Sequence, residues 1–208
     1  MKYSLILTDP PWEYRDTQSN DPKRGGITYP VMSIQSICEL PISDIAADNS
    51  VCVMWCTSPK FCDIGEYDPL TAMRMWGFRP VTFLFVWVKT NKNGEEVLED
   101  TRLDEYDDWY SGLGKYTNSN IEFAVIGRRG KALERKEKNV KQLIFAPIGK
   151  HSAKPQEQYK RLERMFGDVP RIELFARKEN PPPENWKATG LDYDGMDIKD
   201  FIAMEKEA

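Results

Sequence analysis

The stretch that decides the fold reads SLILTDPPW and occupies residues 4–12. It begins with a short apolar run of strand character, and the prolines at 10 and 11 cannot continue a hydrogen-bonded ladder. A buried strand must therefore stop before Asp9, where the chain enters a loop. In an open α/β sheet, residues that directly follow a strand lie at the ligand-binding edge. We expect Asp9 and Trp12 to lie at that edge.

The rest of the chain alternates strand-like and helix-like segments. Apolar runs predict strands at 51–56, 81–88, 121–126, 142–146 and 171–175, the last of the chain, while capping residues and helical periodicity predict helices at 33–40, 68–76 and 155–166. This alternation is typical of a doubly wound α/β sheet. Hydrophilic segments predict a gate loop at about 12–30 and an inserted loop at about 89–118. We expect a single domain over residues 1–208.

Composition argues against several classes of protein. The chain has 208 residues, of which 40% are hydrophobic and 30% charged, and it holds no apolar run of membrane-spanning length. Its first residues lack a secretory signal, so we expect a cytoplasmic protein with no membrane contact. The net charge of −4 argues against a protein that coats nucleic acid over a basic surface. We expect the four cysteines to be buried reduced thiols and predict no metal site.

Charge is segregated along the chain. Residues 128–141 carry seven basic side chains against two acidic ones, and residues 91–111 carry eight acidic side chains against two basic ones. We expect the basic segment to hold nucleic-acid phosphates beside the active site as a hairpin or loop, with Arg128, Arg129 and Lys131 as contacts. The alternative is a solvated charged loop. The acidic segment is interpreted as a subunit contact, a solvated loop or a lid.

The tetrapeptide Asp9-Pro10-Pro11-Trp12 can hold an exocyclic amine. The carboxylate of Asp9 and the carbonyl of Pro10 are two acceptors that match the two N–H donors of adenine N6, and Pro11 stiffens the backbone. Trp12 offers a flat face on which a base can stack. Such acceptors would leave the nitrogen lone pair able to attack an electrophilic methyl group. The alternative is a strand-ending turn with a tryptophan in the core.

With these motifs in view, the chain resembles the MT-A type N6-adenine methyltransferases, a family that includes the eukaryotic mRNA-methylating subunit and many bacterial and phage members. The resemblance covers Leu5 to about Gly195. It rests on DPPW at 9–12, WVKT at 87–90, Gly114 with Asn118 and Glu122, HSAKP at 151–155 and ELFAR at 173–177. It implies a Rossmann-like methyltransferase with a mixed sheet and permuted motif order, with S-adenosylmethionine as its cofactor and no metal.

Position by position, the resemblance implies roles for individual residues. It makes Asp9, Pro10, Pro11 and Trp12 the catalytic motif, with the loop after Trp12 as a gate. Cofactor contacts are implied for Asp9, Lys154, Glu173, Phe175, Arg177 and Asn180, with Lys154 on the cofactor carboxylate. Substrate contacts are implied for Trp12, Tyr29, Lys89 and Asn118. The chain departs from the family at Leu191 and Asp192, where a polar pair often contacts the ribose.

The resemblance favours DNA as the substrate, because the chain lacks the long extensions of the eukaryotic members and looks like the bacterial and phage enzymes. The target base would then have to be flipped out of the duplex. Three alternatives stay open: methylation of RNA, a non-catalytic partner that only presents nucleic acid, and methylation of a glutamine amide or a small amine. A homodimer or a partner subunit also stays open.

Overall fold

The structure is a computed structural model that describes residues 1–14, 30–92, 102, 107–112, 114, 116–131, 133–149 and 153–207. Its strands are β1 (Tyr3–Thr8), β2 (Ala46–Cys56), β3 (Arg79–Thr90), β4 (Ile121–Arg129), β5 (Leu143–Pro147), β6 (Arg171–Leu174) and β7 (Lys187–Thr189). Its helices are α1 (Ile34–Cys38), α2 (Ser58–Phe61), α3 (Pro69–Met75), α4 (Glu157–Phe166) and α5 (Ile198–Glu207), with a 3-10 turn at Ile42–Asp44.

The seven described strands form one mixed sheet in the order β5-β3-β4-β2-β1-β6-β7. Only β4 among them is reversed, because it pairs antiparallel with both of its neighbours while the other described pairs are parallel. The other six strands therefore end at a common edge, which we call the carboxyl edge, and β4 begins there. β1 and β6 lie side by side although they come from opposite ends of the chain. The predicted doubly wound, Rossmann-like α/β fold is confirmed.

Helices cover both faces of the sheet because its central strands are apolar on both sides. One core contains Ile6, Cys52 and Met54 and packs against α1, α3 and α5. The other contains Leu5 and Leu7 and packs against α4. Adjacent residues of β1 point to opposite faces, so a strand buried on both sides reads as a continuous apolar run rather than an alternating one. The two cores hold the central strands in place, and with them the carboxyl edge.

Helix caps follow the sequence signals. The side chains of Ser33 and Asp68 accept hydrogen bonds from the backbone N–H groups of Ser36 and Thr71, which satisfies donors that the first helical turn leaves unpaired. Gly77 follows α3 with a φ of 87°, a left-handed conformation that favours glycine. The predicted starts of α1 and α3 are therefore confirmed.

Several predicted boundaries were wrong. The strand at 171–175 is not the last, because the short strand β7 and the helix α5 follow it. It also ends at Leu174, since Phe175 turns out of the strand with a φ of 62°. The helix after Pro155 begins at Glu157, after a turn in which Gln158 N–H donates to the carbonyl of Pro155. A three-residue strand is too short to leave a periodic signal, which is why β7 escaped prediction.

Cys38, Cys52 and Cys56 are buried free thiols as predicted, whereas Cys62 is exposed, which corrects the expectation for that residue. Burial raises the pKa of the Cys38 thiol to about 11 and that of the Cys56 thiol further. In the described ranges no helix is long and apolar enough to cross a membrane. Within the same ranges, no group of three or more His, Cys, Asp or Glu side chains could hold a metal ion.

Candidate active site

Three strands bring charged side chains together at the carboxyl edge. Asp9 directly follows β1, and Glu122 is the second residue of β4. Because β4 is reversed, its first residues lie beside the end of β2, where Cys56 pairs with Phe123. Lys89 lies near the end of β3, which pairs with the same part of β4. The edge predicted to bind a ligand therefore carries both acidic and basic groups.

The backbone after Asp9 is held by short hydrogen bonds. Trp12 N–H donates to the carbonyl of Pro10 over 2.8 Å, and Met32 N–H donates to the carbonyl of Pro11 over 2.9 Å. A carbonyl oxygen has two lone pairs, so the Pro10 carbonyl keeps one acceptor position beyond its bond to Trp12. The Asp9 side chain is 22% exposed. The structure therefore holds the backbone around the Pro10 carbonyl in place and leaves the Asp9 carboxylate partly exposed.

Trp12 is a core residue in this structure. Its side chain is only 4% exposed, and its indole N–H donates to the carbonyl of Trp55 over 3.3 Å. The next residue is also anchored, because the ammonium of Lys60 donates to the carbonyl of Glu13 over 3.2 Å. The indole is thus covered by protein, as the alternative interpretation of the tetrapeptide expected. Stacking of a base on Trp12 stays a prediction.

Four charged side chains form a continuous chain of contacts. Lys154 Nζ lies 2.7 Å from Asp9 Oδ2 and 3.1 Å from Glu122 Oε2. Glu122 Oε1 lies 2.6 Å from Lys89 Nζ. Two carboxylates and two ammonium groups therefore alternate in the order Asp9, Lys154, Glu122, Lys89, and their formal charges cancel.

This alternation shifts the pKa values of the two inner groups. Burial alone would raise the pKa of the Glu122 carboxyl, but the ammonium groups of Lys154 and Lys89 lower it below its usual range. Burial would likewise lower the pKa of Lys154, but the carboxylates of Asp9 and Glu122 raise it above its usual range. Both inner groups are therefore ionised at neutral pH.

A large cavity opens beside Asp9. Its volume is about 1040 Å³, and its walls come from the loops after β1, β6 and β7 and from the α1 and α5 regions. Acidic, basic and hydroxyl side chains line it together with apolar ones. Its polar lining residues include Asp9, Ser33, Arg177, Lys178, Asp192 and Lys199. A cavity of this size can enclose a ligand as large as a nucleoside with an amino-acid side chain.

A family model described as MT-A70 matches residues 3–192, which is most of the chain. The chain belongs to the MT-A70 family. The type II methyltransferase M.MunI from Mycoplasma sp is 29% identical over 205 residues, covering 89% of this chain and 76% of that protein. The human N(6)-adenosine-methyltransferase catalytic subunit METTL3 is 24% identical over 199 residues, covering 96% of this chain and 30% of METTL3. The Drosophila melanogaster N(6)-adenosine-methyltransferase MT-A70-like protein is 25% identical, and the chain spans 28% of its length.

MT-A70 methyltransferases use S-adenosylmethionine, and the cavity suits that molecule. Its acidic lining residue Asp192 offers acceptors for hydroxyl or ammonium groups, and its basic residues Lys178 and Lys199 offer partners for a carboxylate. Phe175 supplies an aromatic wall. The departure from the family at Leu191 and Asp192 thus still leaves a carboxylate in the lining.

The turn that carries Phe175 is built for close approach to the neighbouring loop. Phe175 has a φ of 62°, which costs a non-glycine residue energy, and Ala176 N–H donates to the carbonyl of Thr189. A Cβ atom on Gly190 would lie 2.7 Å from the carbonyl oxygen of Ala176 and 2.9 Å from its nitrogen. Glycine at 190 therefore lets the loops after β6 and β7 meet and form one wall of the cavity.

Two of the cofactor contacts implied by the MT-A70 resemblance are engaged elsewhere. The Asn180 amide donates to the carbonyl of Lys154 over 3.0 Å and accepts from Gln156 over 2.7 Å, so it ties the loop after β6 to the segment before α4. Glu173 is buried under α4 and accepts a hydrogen bond of 2.8 Å from the hydroxyl of Tyr159. Neither side chain lines the cavity, and neither does that of Lys154, so the roles of all three residues toward a cofactor stay predictions.

Of the substrate contacts that the resemblance implies, Lys89 and Asn118 lie at the carboxyl edge. Lys89 belongs to the charged chain, where it contacts Glu122. Asn118 is exposed just before β4. Tyr29, with most of the gate loop, lies outside the described residues. His151, part of the fourth sequence motif, lies outside them as well.

The basic segment does not lie where the sequence analysis put it. Arg128 and Arg129 are the last residues of β4, and they pair with the beginning of the apolar part of β2, at the edge opposite Asp9. Arg128 is six positions after Glu122, about 20 Å along an extended strand. The expectation that Arg128, Arg129 and Lys131 flank the active site was therefore wrong in position. Their contact with phosphates stays a prediction for the opposite edge.

The sequence predicted no role for two residues of this site, Glu122 and Lys60. Glu122 was part of a sequence motif, yet only the reversal of β4 shows that it reaches Lys154. Lys60 is buried although it is a lysine, and it holds the backbone after Trp12. A lysine in a short helix after an apolar strand carries no signal of such burial. Glu122 at the start of its strand could have been assigned to the carboxyl edge only if the direction of that strand had been known.

Proposed function

We propose that this protein transfers the methyl group of S-adenosylmethionine to the N6 amine of adenine in DNA. The observation that carries the proposal is the position of Asp9, which follows β1 at the carboxyl edge and lines a cavity of about 1040 Å³, with the Pro10 carbonyl next to it in the chain. The membership of the chain in the MT-A70 methyltransferases supports the reaction type. The names of METTL3 and its fly relative support adenine N6 as the target.

The residues of the chain suit this reaction. The Asp9 carboxylate and the Pro10 carbonyl would each accept one N–H of the target amine, which orients the nitrogen lone pair away from them. S-adenosylmethionine, when bound, supplies an electrophilic methyl group on sulfur. The Asp9 carboxylate would hold the amine while a C–N bond to the methyl group replaces the methyl–sulfur bond, whose electron pair stays on sulfur in S-adenosylhomocysteine, and the excess amine proton would leave to solvent afterwards. No strong base is required.

Residues around the cavity would hold the cofactor. We assign Phe175 and Arg177 to the adenosine part, because both line the cavity at the loop after β6. The resemblance implies that Lys154 binds the cofactor carboxylate; Lys154 does not line the cavity, but it contacts Asp9, which does. Cofactor contacts by Glu173 and Asn180 also remain part of the proposal, although neither side chain lines the cavity.

DNA is preferred over RNA because M.MunI, named a type II methyltransferase, matches this chain over 76% of its own length, whereas METTL3 matches over 30% of its length. The basic residues at the opposite edge offer a local surface for the phosphates of either polymer, which favours nucleic acid over a peptide or small amine. The remaining parts of the proposal are a single domain with a gate at 12–30 and an insertion at 89–118, a cytoplasmic location, and a homodimer or partner subunit.

RNA methylation is the second candidate, and the match to METTL3 and to the fly protein over 96% of this chain favours it. One experiment separates the candidates. Purified protein is incubated with labelled S-adenosylmethionine and with unmethylated duplex DNA, single-stranded DNA, RNA or a glutamine-containing peptide, and the products are digested and identified by mass spectrometry. N6-methyldeoxyadenosine supports the proposal, and N6-methyladenosine from RNA alone replaces it. Methylated peptide alone rejects adenine as the substrate, and no methylated product from any of them points to a missing partner subunit or to a different amine.

A further inference from the structure

The charged chain at the carboxyl edge is most buried in its middle. The Glu122 side chain is 5% exposed and that of Lys154 is 9% exposed, whereas the outer members Lys89 and Asp9 are 14% and 22% exposed. A buried charge is strongly unfavourable unless it is paired and hydrogen-bonded. Glu122 meets this requirement by giving one oxygen to each lysine.

We propose that Glu122 is a positioning residue for methyl transfer, which acts through Lys154 on Asp9 and whose charge is balanced by Lys89. The inference rests on the proposed function, because it takes Asp9 as the group that holds the amine. Lys154 contacts Oδ2 of Asp9, so the position of the ammonium sets the orientation of that carboxylate. Glu122 in turn sets the position of the ammonium from the opposite side.

Placement of Asp9 matters because a displacement of about 1 Å in a reacting or orienting group can greatly reduce the rate. β1 fixes the backbone of Asp9, but an aspartate side chain still rotates about two bonds. The contact between Lys154 Nζ and Asp9 Oδ2 restricts this rotation of the carboxylate. Lys154 precedes α4 in a loop, so its long side chain needs its own anchor, and Glu122 on the central strand β4 provides it.

A glutamine at position 122 cannot offer an acceptor oxygen to both lysines, as the Glu122 carboxylate does. Glutamine has one acceptor oxygen and one NH2 group, so in Glu122→Gln the amide oxygen can serve only one lysine and its N–H donors face the other. When Lys89→Met is combined with Glu122→Gln, no second lysine faces the N–H donors of the glutamine. The amide oxygen can then turn to Lys154. In the double variant Lys89→Met/Glu122→Gln, Asp9 and Lys154 are the charged members that remain, and their formal charges cancel.

The test compares wild type, Glu122→Gln, Lys89→Met and the double variant in methyl transfer to the polymer that wild type methylates. We expect Glu122→Gln to lower kcat at least tenfold, with the KM for S-adenosylmethionine changed less than threefold. We expect the double variant to regain kcat to within threefold of Lys89→Met alone. A kcat for Glu122→Gln within twofold of wild type, or a double variant as impaired as Glu122→Gln, overturns the inference.

The pH profile gives a second signature. Lys154 is faced by Asp9, by Glu122 on β4, by Glu173 on β6 and by Cys56 on β2. Loss of the Glu122 charge lowers the pKa of Lys154, so kcat of Glu122→Gln should decline at a lower alkaline pH than that of wild type. An unchanged alkaline limb contradicts action through Lys154.

A structural readout separates this inference from the proposed function. Crystal structures of wild type and the variants would give the distance from Lys154 Nζ to Asp9 Oδ2. We expect the contact to be lost in Glu122→Gln and regained in the double variant, and a contact retained in Glu122→Gln overturns the positioning role. If wild type methylates no adenine, the proposed function fails, while these distances still decide the positioning. If Glu122→Gln does not fold, kcat and the distance from Lys154 Nζ to Asp9 Oδ2 in the double variant are compared with those in Lys89→Met.

Discussion

The hydroxyl of Tyr159 lies 2.8 Å from Oε2 of Glu173, so a tyrosine on α4 donates a hydrogen bond to an acid on strand β6, between β1 and β7. Burial raises the pKa of the Glu173 carboxyl to about 7, and the nearby Asp9 carboxylate adds to this, although Tyr159 and Lys154 act against it. The folded protein therefore keeps a proton on Glu173 over a pH range in which the unfolded chain has lost it.

The first prediction concerns the pH dependence of stability. Because the pKa of Glu173 is higher in the folded state, the free energy of unfolding falls as pH rises from about 4.5 to about 7 and stays lower above that range. Glu173→Gln removes this loss and keeps an acceptor for Tyr159. We expect it to stabilise the protein by roughly 3 kcal/mol at pH 8 and to change little at pH 4.

Urea unfolding of wild type and Glu173→Gln at both pH values measures this difference. Glu66→Gln is the matched control, because it makes the same substitution at an exposed glutamate. Equal effects of Glu173→Gln at pH 4 and pH 8 would show that Glu173 does not retain a proton in the folded state.

The second prediction concerns the cavity wall. Gly190→Ala would place a Cβ atom 2.7 Å from the carbonyl oxygen of Ala176, so the turn that carries Phe175 must move outward. We expect the affinity for S-adenosylhomocysteine, measured by calorimetry, to fall at least tenfold, and the stability to fall by about 1–3 kcal/mol. Gly65→Ala is the control, because its nearest neighbour is a backbone oxygen 3.9 Å away. Unchanged affinity in Gly190→Ala would remove this wall from the cofactor site.

The third prediction separates the two interpretations of Trp12. Its indole is buried, so Trp12→Ala should cost about 3–5 kcal/mol of stability, and Trp12→Phe should cost about 1 kcal/mol through loss of the bond to Trp55. Trp76 is a matched control, since it is also buried and its indole N–H donates to the carbonyl of Ile37 over 2.9 Å. If Trp12 also stacks the base, Trp12→Phe raises the KM for nucleic acid and Trp76→Phe does not. Equal KM values for the two variants would leave Trp12 with a core role alone.

Strand direction explains most of what the sequence could and could not predict about this site. Asp9 was placed correctly because an apolar run that stops at two prolines identifies the end of a strand without further information. The reversal of β4 has no such local signal, since its pairing partners β2 and β3 are distant in sequence. That one missing fact hid the contact of Glu122 with Lys154 and put Arg128 at the wrong edge.

The fourth prediction concerns the opposite edge. Arg128 and Lys131 are exposed there, about 20 Å from the charged chain by strand length. Charge reversal of both residues should weaken DNA binding and reduce its salt dependence by about two phosphate contacts, while kcat at saturating DNA stays unchanged. Binding is measured by fluorescence anisotropy over a series of salt concentrations.

The matched control for this variant reverses Lys160 and Lys187, which are also exposed but lie outside the basic segment. It has the same net charge as the Arg128 and Lys131 variant, so any general effect of charge is common to the two proteins. A larger loss of affinity for the first variant identifies a phosphate contact at the end of β4. Equal losses would show that DNA responds only to net charge, and the segment would then be a solvated loop.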